Sequence, residues 1–311
     1  MKSRRAPRLP QSVSVRVPAS TSNLGAGFDT LGLALNLYNT VHLTRTTKPG
    51  VQAATPDAVP GLDMAAEAAS WFFPRAEVDD FGFSFRVTGD VPMSRGLGSS
   101  VTLRAGIVAG LNALSGAGLS RDDLAELVTK LEGHPDNATP AVLGGFCVGR
   151  MDPQKGVLTG VVRQRIGREV VFVVASPTQE LETKKARGIL PKELPYFDAV
   201  RSINSAAYVT AAFLTGEFDR LEHAVADFMH EPYRLPLIPG ARLAIESGIE
   251  AGALTGWLSG SGSSVLCVAR PAKVARVSKA MTQGFAAAHV KCRVFKLYAD
   301  NEGLRVTVSR A

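Results

Sequence analysis

The spacing of apolar residues changes repeatedly along this chain, and this change restricts the possible folds more than any other feature. In SVSVRV (residues 12–17) and FGFSFRV (residues 81–87), apolar residues alternate with other residues. A period of two is typical of strands with one buried face. Residues 99–115 instead have apolar positions at helical spacing, and Gly116 follows them. The first half therefore combines strands with at least one helix.

A second helix is expected directly after the first. Ser120 and Asp123 have the spacing of a capping box, and an apolar stripe continues from Leu124 to Leu131 before Pro135. In the second half, VVFVVASP is typical of a buried strand, and helices are predicted at about 199–215, 217–230 and 240–251. A strand, a helix and a strand then follow over about 264–298.

The polar, glycine-spaced stretch at about 150–168 separates these two halves. We predict an α+β protein of two domains, residues 1–165 and 166–311. A length of 311 residues with 45% hydrophobic residues is sufficient for two cores.

Several classes of protein are disfavoured by composition. The basic start MKSRRAPRLPQS leads into a strand pattern rather than an apolar signal core, and we find no apolar run long enough to span a membrane. We therefore expect a cytoplasmic protein without membrane contact. Cys147, Cys267 and Cys292 are odd in number and far apart, which predicts buried thiols rather than disulfides or a zinc cluster.

A formal net charge of +7 favours anionic partners, either a nucleic acid or an anionic small molecule. Four of the basic residues lie within the first eight, and no later stretch interleaves Lys or Arg with aromatic residues. We therefore expect no nucleic-acid partner.

Three loops combine glycine with small hydroxyl residues, at positions 18–32, 92–100 and 258–265. None matches the P-loop or the complete dinucleotide fingerprint. In the second loop, glycines would let backbone N–H groups face a phosphate at the amino end of the following helix. Ser99 and Ser100 would cap that helix, donate hydroxyls to phosphate or hold Mg²⁺. The alternative is an ordinary helix start with a serine N-cap.

The first loop offers donors and one carboxylate, from Ser20, Thr21, Ser22, Asn23 and Asp29. This set suits a polar, partly cationic ligand. Ordinary turn and capping roles for the same residues are the alternative.

The stretch LEGHPDN supplies a second acidic element. Glu132 lies four residues after Val128, so its carboxylate projects beside the buried stripe of the helix and needs a partner. Mg²⁺ would provide one, and a nearby Lys or Arg is the alternative. His134, beside Pro135, is predicted to have a structural or capping role.

Taken together, six stretches resemble, in order and across nearly the whole chain, the motifs of the homoserine kinase family within the GHMP superfamily. They are VPASTSNLGAGFDTLGLAL, PMSRGLGSSVT, EGHPDNATPAVLGGF, TKKARGILP, EPYRLPLIPG and GWLSGSGSSVLCVA. The resemblance implies an amino-terminal β-α domain with the ATP loop and a left-handed βαβ crossover, against the usual handedness. It also implies a carboxy-terminal ferredoxin-like domain, an active site between the domains, Mg²⁺ and a homodimer.

The resemblance also implies an ATP-binding loop that wraps the phosphates and a metal site formed by Ser100 and Glu132. The loop comprises Pro92, Met93, Ser94, Arg95, Gly96, Leu97, Gly98, Ser99, Ser100, Val101 and Thr102.

Homoserine would meet a matching residue at each of its functional groups. The resemblance assigns Asp29 with Asn23 to the ammonium and Arg187 and Arg234 to the carboxylate, which suits the fork of a guanidinium. It assigns Asn137 to the reacting hydroxyl, and Thr183 would assist Arg187. Ala26, Ser263 and residues 101–104 depart from the family pattern. Among them Arg104 is expected to face outward.

The expected reaction transfers the γ-phosphate of ATP to the homoserine hydroxyl and belongs to threonine biosynthesis. Phosphoryl transfer through a loose transition state depends more on positioning and charge neutralisation than on a strong base. Because the amide of Asn137 cannot accept a proton, we expect the proton to leave to the γ-phosphate or to solvent. Asp136 is the alternative base.

Three other functions are alternatives to a homoserine kinase activity. Another GHMP kinase would act on mevalonate or a sugar alcohol, but Arg187 and Arg234 favour an amino-acid carboxylate. A regulator without activity should have lost Glu132 or a loop glycine, and both are present. A nucleic-acid binder would use the basic charge, and its binding would be sensitive to salt.

Overall fold

The structure of the protein is a computed structural model. It describes residues 9–181, 183–222 and 224–308, and of residues 183 and 184 the backbone alone. The strands in this part of the chain form two sheets.

The first sheet has seven strands and contains the first half of the chain together with its last strand. Five strands follow the order β11-β1-β2-β4-β3, and β5 pairs with β2 and with β6. All pairs are antiparallel except β3 and β4, between which the first helix lies in sequence. The strands are β1 (Ser12–Ser22), β2 (Leu31–Thr46), β3 (Val51–Ala53), β4 (Gly82–Gly89), β5 (Phe146–Met151), β6 (Leu158–Gln164) and β11 (Arg305–Val308).

Four helices belong to this half: α1 (Leu62–Ala76), α2 (Ser99–Ser115), α3 (Arg121–Glu132) and α4 (Pro135–Leu143). The helix α2 packs closely on β2 because it contains glycines at the contact. A Cβ at Gly106 would lie 2.3 Å from Val41 Cγ2, and one at Gly110 would lie 2.6 Å from Leu43 Cδ1. The close approach buries α2 between the sheet and the helices α1 and α3.

Two local predictions in this half are confirmed. Val13, Val15 and Val17 are buried on one face of β1. The capping box of α3 is present, with the Asp123 N–H donating to Ser120 Oγ at 3.1 Å and the Ser120 N–H donating to Asp123 Oδ2 at 2.9 Å. Both features depend only on residues close in sequence, which is why the pattern predicts them well.

The second sheet is antiparallel, with the order β10-β7-β9-β8. Its strands are β7 (Val171–Pro177), β8 (Thr255–Leu258), β9 (Val265–Ala269) and β10 (Cys292–Leu297). The helices of this half are α5 (Thr183–Gly188), α6 (Tyr196–Thr215), α7 (Glu231–Arg234), α8 (Ala241–Glu250) and α9 (Val274–Ala287). This strand order, with helices between β7 and β8 and between β9 and β10, is the ferredoxin-like arrangement expected from the sequence.

The strand β7 shows how the two halves join. Phe172 and Val174 lie in a core cluster that also contains Leu33 of β2 and Phe213 of α6. Val173 and Ala175 face the opposite side, in the cluster formed with α8 and α9. Because strand residues alternate between faces, this fully buried strand connects the two halves through one face.

The helix predicted at about 217–230 is wrong for the described residues. A short 3-10 turn, Phe218–Leu221, is followed by irregular chain. There, Ser205 Oγ accepts a hydrogen bond from the Ala226 N–H, and the Asp227 carboxylate accepts bonds from the N–H groups of Met229, His230 and Glu231 at 2.7–2.9 Å. These side chains supply the acceptors that helical carbonyls would otherwise provide.

The division at 165 and the handedness of the crossover stay predictions. The strand β6 ends at Gln164 and β7 begins at Val171, while β11 returns from the second half to pair with β1. Within the described part of the chain, every helix is too short or too polar to cross a membrane.

Candidate active site

A cavity of about 440 Å³ lies between the two halves of the molecule. Its walls come from the loop after β1, the glycine loop before α2, the junction of α3 and α4, the helices α5 and α7, and the loop between β8 and β9. The three glycine and serine loops of the sequence therefore meet at one cavity.

The glycine loop needs glycine at two positions for two reasons. Gly96 and Gly98 both have φ of +70°, in the left-handed region that side chains disfavour. A Cβ at Gly96 would also lie 2.0 Å from the backbone oxygen of Ser259, and one at Gly98 would lie 2.3 Å from Ser20 Oγ. Ser259 Oγ donates to the Gly96 oxygen at 2.7 Å, so the third loop holds the second in place.

The start of α2 differs from the serine cap expected from the sequence. Gly98 occupies the N-cap position, and no side chain in the described part of the chain caps the helix. Ser99 and Ser100 are instead the first helical residues, and their hydroxyls make no hydrogen bond to the residues that the structure describes. Hydroxyls and backbone N–H groups at the amino end of α2 thus face the cavity, which is the arrangement that binds phosphate.

Most of the predicted ATP loop lies at the cavity. Leu97 and Val101 are fully buried in the core and anchor the loop, and Pro92 lies outside the cavity wall. The residues that line the cavity are Met93, Ser94, Arg95, Gly96, Gly98, Ser99, Ser100 and Thr102.

Two features of the cavity were missed in the sequence. Asn39 is buried, and it accepts a bond from the Val91 N–H and donates to Thr102 Oγ1 at 2.9 Å, joining the loop to α2. The signal for Asn39 in the sequence is a polar residue on the apolar face of an alternating strand, between Leu37 and Val41. The cavity also has an apolar wall suited to a planar ring, formed by Ala58, Pro60, Met64, Phe85, Val87 and Leu103.

Glu132 ends α3 beside the cavity, and its side chain is 8% exposed. Arg104 donates from one terminal nitrogen to Glu132 Oε1 at 2.8 Å and from the other to Glu67 Oε2 at 2.7 Å. The expectation that Arg104 faces outward is wrong, because α1 and α3 cover α2 on this side and each supplies a carboxylate. A basic partner for Glu132, one of the two alternatives, is therefore present.

Glu132 and Ser100 offer the oxygen atoms that a Mg²⁺ ion requires. Mg²⁺ prefers oxygen ligands and usually takes one or two carboxylates beside phosphate and water. Glu132 Oε2 accepts no hydrogen bond from the described residues, and neither does the Ser100 hydroxyl. The groups present at this wall fit the ion.

Asn137 is held by two hydroxyls of β1. Ser20 Oγ donates to Asn137 Oδ1 at 2.8 Å, and Asn137 Nδ2 donates to Ser22 Oγ at 3.1 Å. The sequence placed both serines in a loop, whereas β1 extends through Ser22. The amide therefore has a fixed orientation on the cavity wall.

A buried pair lies next to Asn137. His134 Nδ1 is in hydrogen-bond contact with Asp136 Oδ1, which also accepts a bond from the Asn137 N–H at 3.0 Å. Burial alone would lower the pKa of His134, but the charge and the hydrogen bond of Asp136, together with the charges of Asp29 and Glu132, outweigh burial and raise this pKa to about 9. His134 occupies the N-cap position of α4 without capping it, so the pairing with Asp136 replaces the capping role. Asp29 also lies near these two side chains.

Asp29 of the first half and Arg187 of the second half form an ion pair. Two nitrogens of Arg187 donate to the two oxygens of Asp29, each at 2.8 Å. Asn23 supports this loop, because its Oδ1 accepts a bond from the Asp29 N–H at 3.1 Å and its Nδ2 donates to the Gly260 oxygen. Thr183 begins α5, but its side chain lies outside the described residues.

Arg234 is a buried cation at the same end of the cavity. It is 2% exposed and donates to the backbone oxygens of Ala186 and Gly260 at 3.0 and 3.3 Å. Among the described residues, no carboxylate lies within ion-pair distance of its guanidinium. Burial lowers the pKa of Arg234 to about 10, so the group stays charged at neutral pH. A buried charge without a counter-ion indicates an anion-binding position.

The cysteines have no part in this site. Cys147 and Cys267 are buried, and burial raises the pKa of each thiol to about 12. The prediction of buried thiols is confirmed for these two residues, while Cys292 is half-buried.

Comparison with known proteins identifies the family. Residues 63–145 match the model for the GHMP kinases N terminal domain, and residues 209–287 match the model for the GHMP kinases C terminal domain. The homoserine kinase of Moorella thermoacetica is 38% identical over 293 residues, which are 93% of this chain and 98% of that protein.

Solved structures agree with this assignment. The crystal structure of homoserine kinase from Cytophaga hutchinsonii has a TM-score of 0.86 and 26% identity, and the match covers 97% of this chain and 99% of that chain. A mevalonate kinase from L. major, at 17% identity and a TM-score of 0.64 over 93% of this chain and 96% of that chain, shares the fold. The two-domain GHMP kinase fold expected from the sequence is confirmed, and the chain belongs to the homoserine kinase family of the GHMP kinases.

Proposed function

We propose that the protein transfers the γ-phosphate of ATP to the hydroxyl of L-homoserine, which gives O-phospho-L-homoserine for threonine biosynthesis. The observation that carries the proposal is the charge pattern of one cavity. Asp29, Arg187 and Arg234 lie at the end of the cavity that faces the second half, and Arg234 has no carboxylate partner among the described residues. The glycine loop and the start of α2 lie along the cavity wall. The relatives named homoserine kinase support this choice of substrate.

The substrate would exchange partners with the existing ion pair. The ammonium of homoserine would bind Asp29, next to the Asn23 amide, and its carboxylate would bind Arg187 and Arg234. When a zwitterion separates Asp29 from Arg187, its ammonium gives Asp29 a new partner and its carboxylate gives Arg187 one. A ligand with only one of the two charges leaves a protein charge without a partner, which is costly in a partly buried site.

ATP would lie along the glycine loop. Its phosphates would accept hydrogen bonds from backbone N–H groups at the start of α2 and from the hydroxyls of Ser99 and Ser100. Its base would contact the apolar wall that includes Phe85 and Met64. In this orientation the γ-phosphate would lie toward Asn137, next to the proposed homoserine site.

Magnesium is part of the proposal. Ser100 and Glu132 would hold the ion, which supplies neutralisation of phosphate charge when it is bound. The remaining residues position the reactants: the loop holds the phosphates, and Asn137 donates to or accepts from the reacting hydroxyl in an orientation fixed by Ser20 and Ser22.

The proton of the homoserine hydroxyl would leave to the γ-phosphate or to solvent. Asn137 has no basic group, and His134 carries a proton at pH 7 because its pKa is about 9. Asp136 Oδ1 already accepts bonds from His134 and from the Asn137 N–H. These contacts disfavour Asp136 as a general base and favour a mechanism based on positioning.

A coupled assay of ADP release tests the substrate. Homoserine, serine, threonine and mevalonate are compared at saturating ATP and Mg²⁺, and we expect the highest kcat/KM with homoserine. Mevalonate lacks the ammonium that Asp29 would bind, so activity confined to mevalonate would overturn the proposal.

The resemblance adds a homodimer to the proposal, and the composition of the sequence adds a cytoplasmic location. Sedimentation of the purified protein at micromolar concentration tests the first of these, and a monomer at that concentration would exclude it.

A further inference from the structure

Arg104 connects three helices at the edge of the cavity. It lies in α2, binds Glu67 of α1 at 2.7 Å and binds Glu132 of α3 at 2.8 Å. Its side chain is 17% exposed, and its Nε atom is buried without a hydrogen-bond partner among the described residues. An unsatisfied buried N–H lowers stability. The contacts of Arg104 with the neighbouring helices therefore do not satisfy all of its donors.

The contact with Glu132 uses one oxygen of the carboxylate. Arg104 donates to Oε1, while Oε2 accepts no bond from the described residues and the residue lines the cavity. The second terminal nitrogen of Arg104 is fixed by Glu67, so the guanidinium cannot turn to cover both oxygens of Glu132 without losing that bond. The geometry therefore orients the carboxylate and leaves one oxygen for a ligand.

We infer that Arg104 is a positioning residue for Glu132. By orienting this carboxylate, it sets the affinity of the enzyme for its divalent cation. The inference rests on the proposed function, in which Glu132 is a ligand of Mg²⁺. A partner that hydrogen-bonds the far oxygen of a metal ligand fixes its orientation, and loss of such a partner commonly lowers metal affinity roughly 10- to 100-fold.

The structure contains a matched ion pair without this role. Arg75 of α1 binds Asp123 of α3 at 2.7 Å, so it also joins helices of the first half, but neither residue lines the cavity. Arg75→Met removes a helix-joining arginine in the same way as Arg104→Met. A purely structural role for Arg104 predicts no specific change in cation binding, although Arg104→Met should lower stability more than Arg75→Met, because the Glu132 side chain is 8% exposed and that of Asp123 34%.

The experiment measures the Mg²⁺ concentration at half-maximal rate, with homoserine and ATP saturating. We expect Arg104→Met to raise it roughly 10-fold or more. Arg104→Lys keeps the charge but loses the two-pronged contact, and we expect a rise of about threefold. We expect Arg75→Met to change it less than about twofold, because exposed ion pairs contribute little.

A second readout does not depend on turnover. Binding of Mn²⁺ to the protein with ADP is followed by the electron paramagnetic resonance signal of free Mn²⁺, and thermal unfolding of each variant is recorded. Weaker Mn²⁺ binding in Arg104→Met than in Arg75→Met supports the inference. Equal binding in the two variants, or tighter binding in Arg104→Met, overturns it, since tighter binding means that Arg104 competes with the cation.

The two proposals fail in different ways. A wild-type enzyme that does not phosphorylate homoserine overturns the proposed function, while the Mn²⁺ titration still measures the effect of Arg104. If Arg104→Met does not fold, Arg104→Lys carries the comparison, and an unchanged Mn²⁺ affinity in Arg104→Lys overturns the inference.

Discussion

Asp29 and Arg187 form a two-pronged ion pair, with both N–O distances at 2.8 Å, between the loop after β1 and the helix α5 of the other half. The two side chains proposed to bind the opposite charges of the substrate thus bind each other. A zwitterion could replace each partner of this pair, with its ammonium on Asp29 and its carboxylate on Arg187 and Arg234.

The first prediction concerns selectivity for the ammonium. We expect Asp29→Asn to raise KM for homoserine about 10- to 100-fold, because a hydrogen bond to a charged group is lost. The preference for homoserine over 4-hydroxybutyrate, which lacks the ammonium, should fall by a similar factor. Steady-state kinetics with both substrates measure this ratio. Asp198→Asn, which removes a surface ion pair with Arg201, is the control, and an unchanged ratio in Asp29→Asn contradicts the prediction.

The second prediction concerns the general base. We expect Asp136→Asn to keep kcat within about tenfold of the wild type, because the mechanism relies on positioning rather than proton abstraction. Single-turnover measurements with bound ATP isolate the chemical step. A loss of about 10³-fold or more in that step would identify Asp136 as a base.

The third prediction concerns the glycine loop. In Gly96→Ala the new Cβ would lie 2.0 Å from the Ser259 oxygen, a backbone atom that cannot move alone. We expect at least about a tenfold rise in KM for ATP, because a misplaced loop loses its alignment with phosphate. Gly118→Ala is the matched control, since Gly118 also has a positive φ, +75°, but has open space around its Cβ position. That variant should lose about 1–2 kcal/mol of stability and keep its KM for ATP.

The fourth prediction concerns stability and pH. Glu231 is buried, and burial together with the charge of Asp227 raises its pKa to about 8, although the Leu258 N–H and Arg242 oppose the shift. The folded-state pKa lies above the unfolded value, so the stabilising contribution of the protonated form is complete below about pH 4.5 and declines as pH rises toward 8. We expect Glu231→Gln to be more stable than the wild type at pH 8 and to lose that advantage near pH 5.

Thermal unfolding at pH 5, 6, 7 and 8 measures the difference in Tm between this variant and the wild type. Glu217→Gln, at an exposed position, is the control. A Tm difference for Glu231→Gln that stays constant over this range would show that Glu231 does not titrate there.

Residues close in sequence determine the features that were predicted best. The alternating valines of β1 and the capping box of α3 are correct because each depends on neighbours within a few positions. The helix expected at about 217–230 failed for the opposite reason. Ser205, about 20 positions earlier in the chain, bonds the backbone of that segment.

The family, the two mixed domains, the glycine loop and the identity of the charged groups could be predicted from the amino-acid sequence, because each depends on a local motif or pattern. Tertiary structure alone decided their partners. It turned Arg104 toward Glu132, joined Asp29 to Arg187 and placed Ser20 and Ser22 on either side of Asn137. It also buried Arg234 without a carboxylate partner among the described residues. These relationships connect residues from 28 to 158 positions apart, and only the packing of helices and sheets brings such residues within bonding distance.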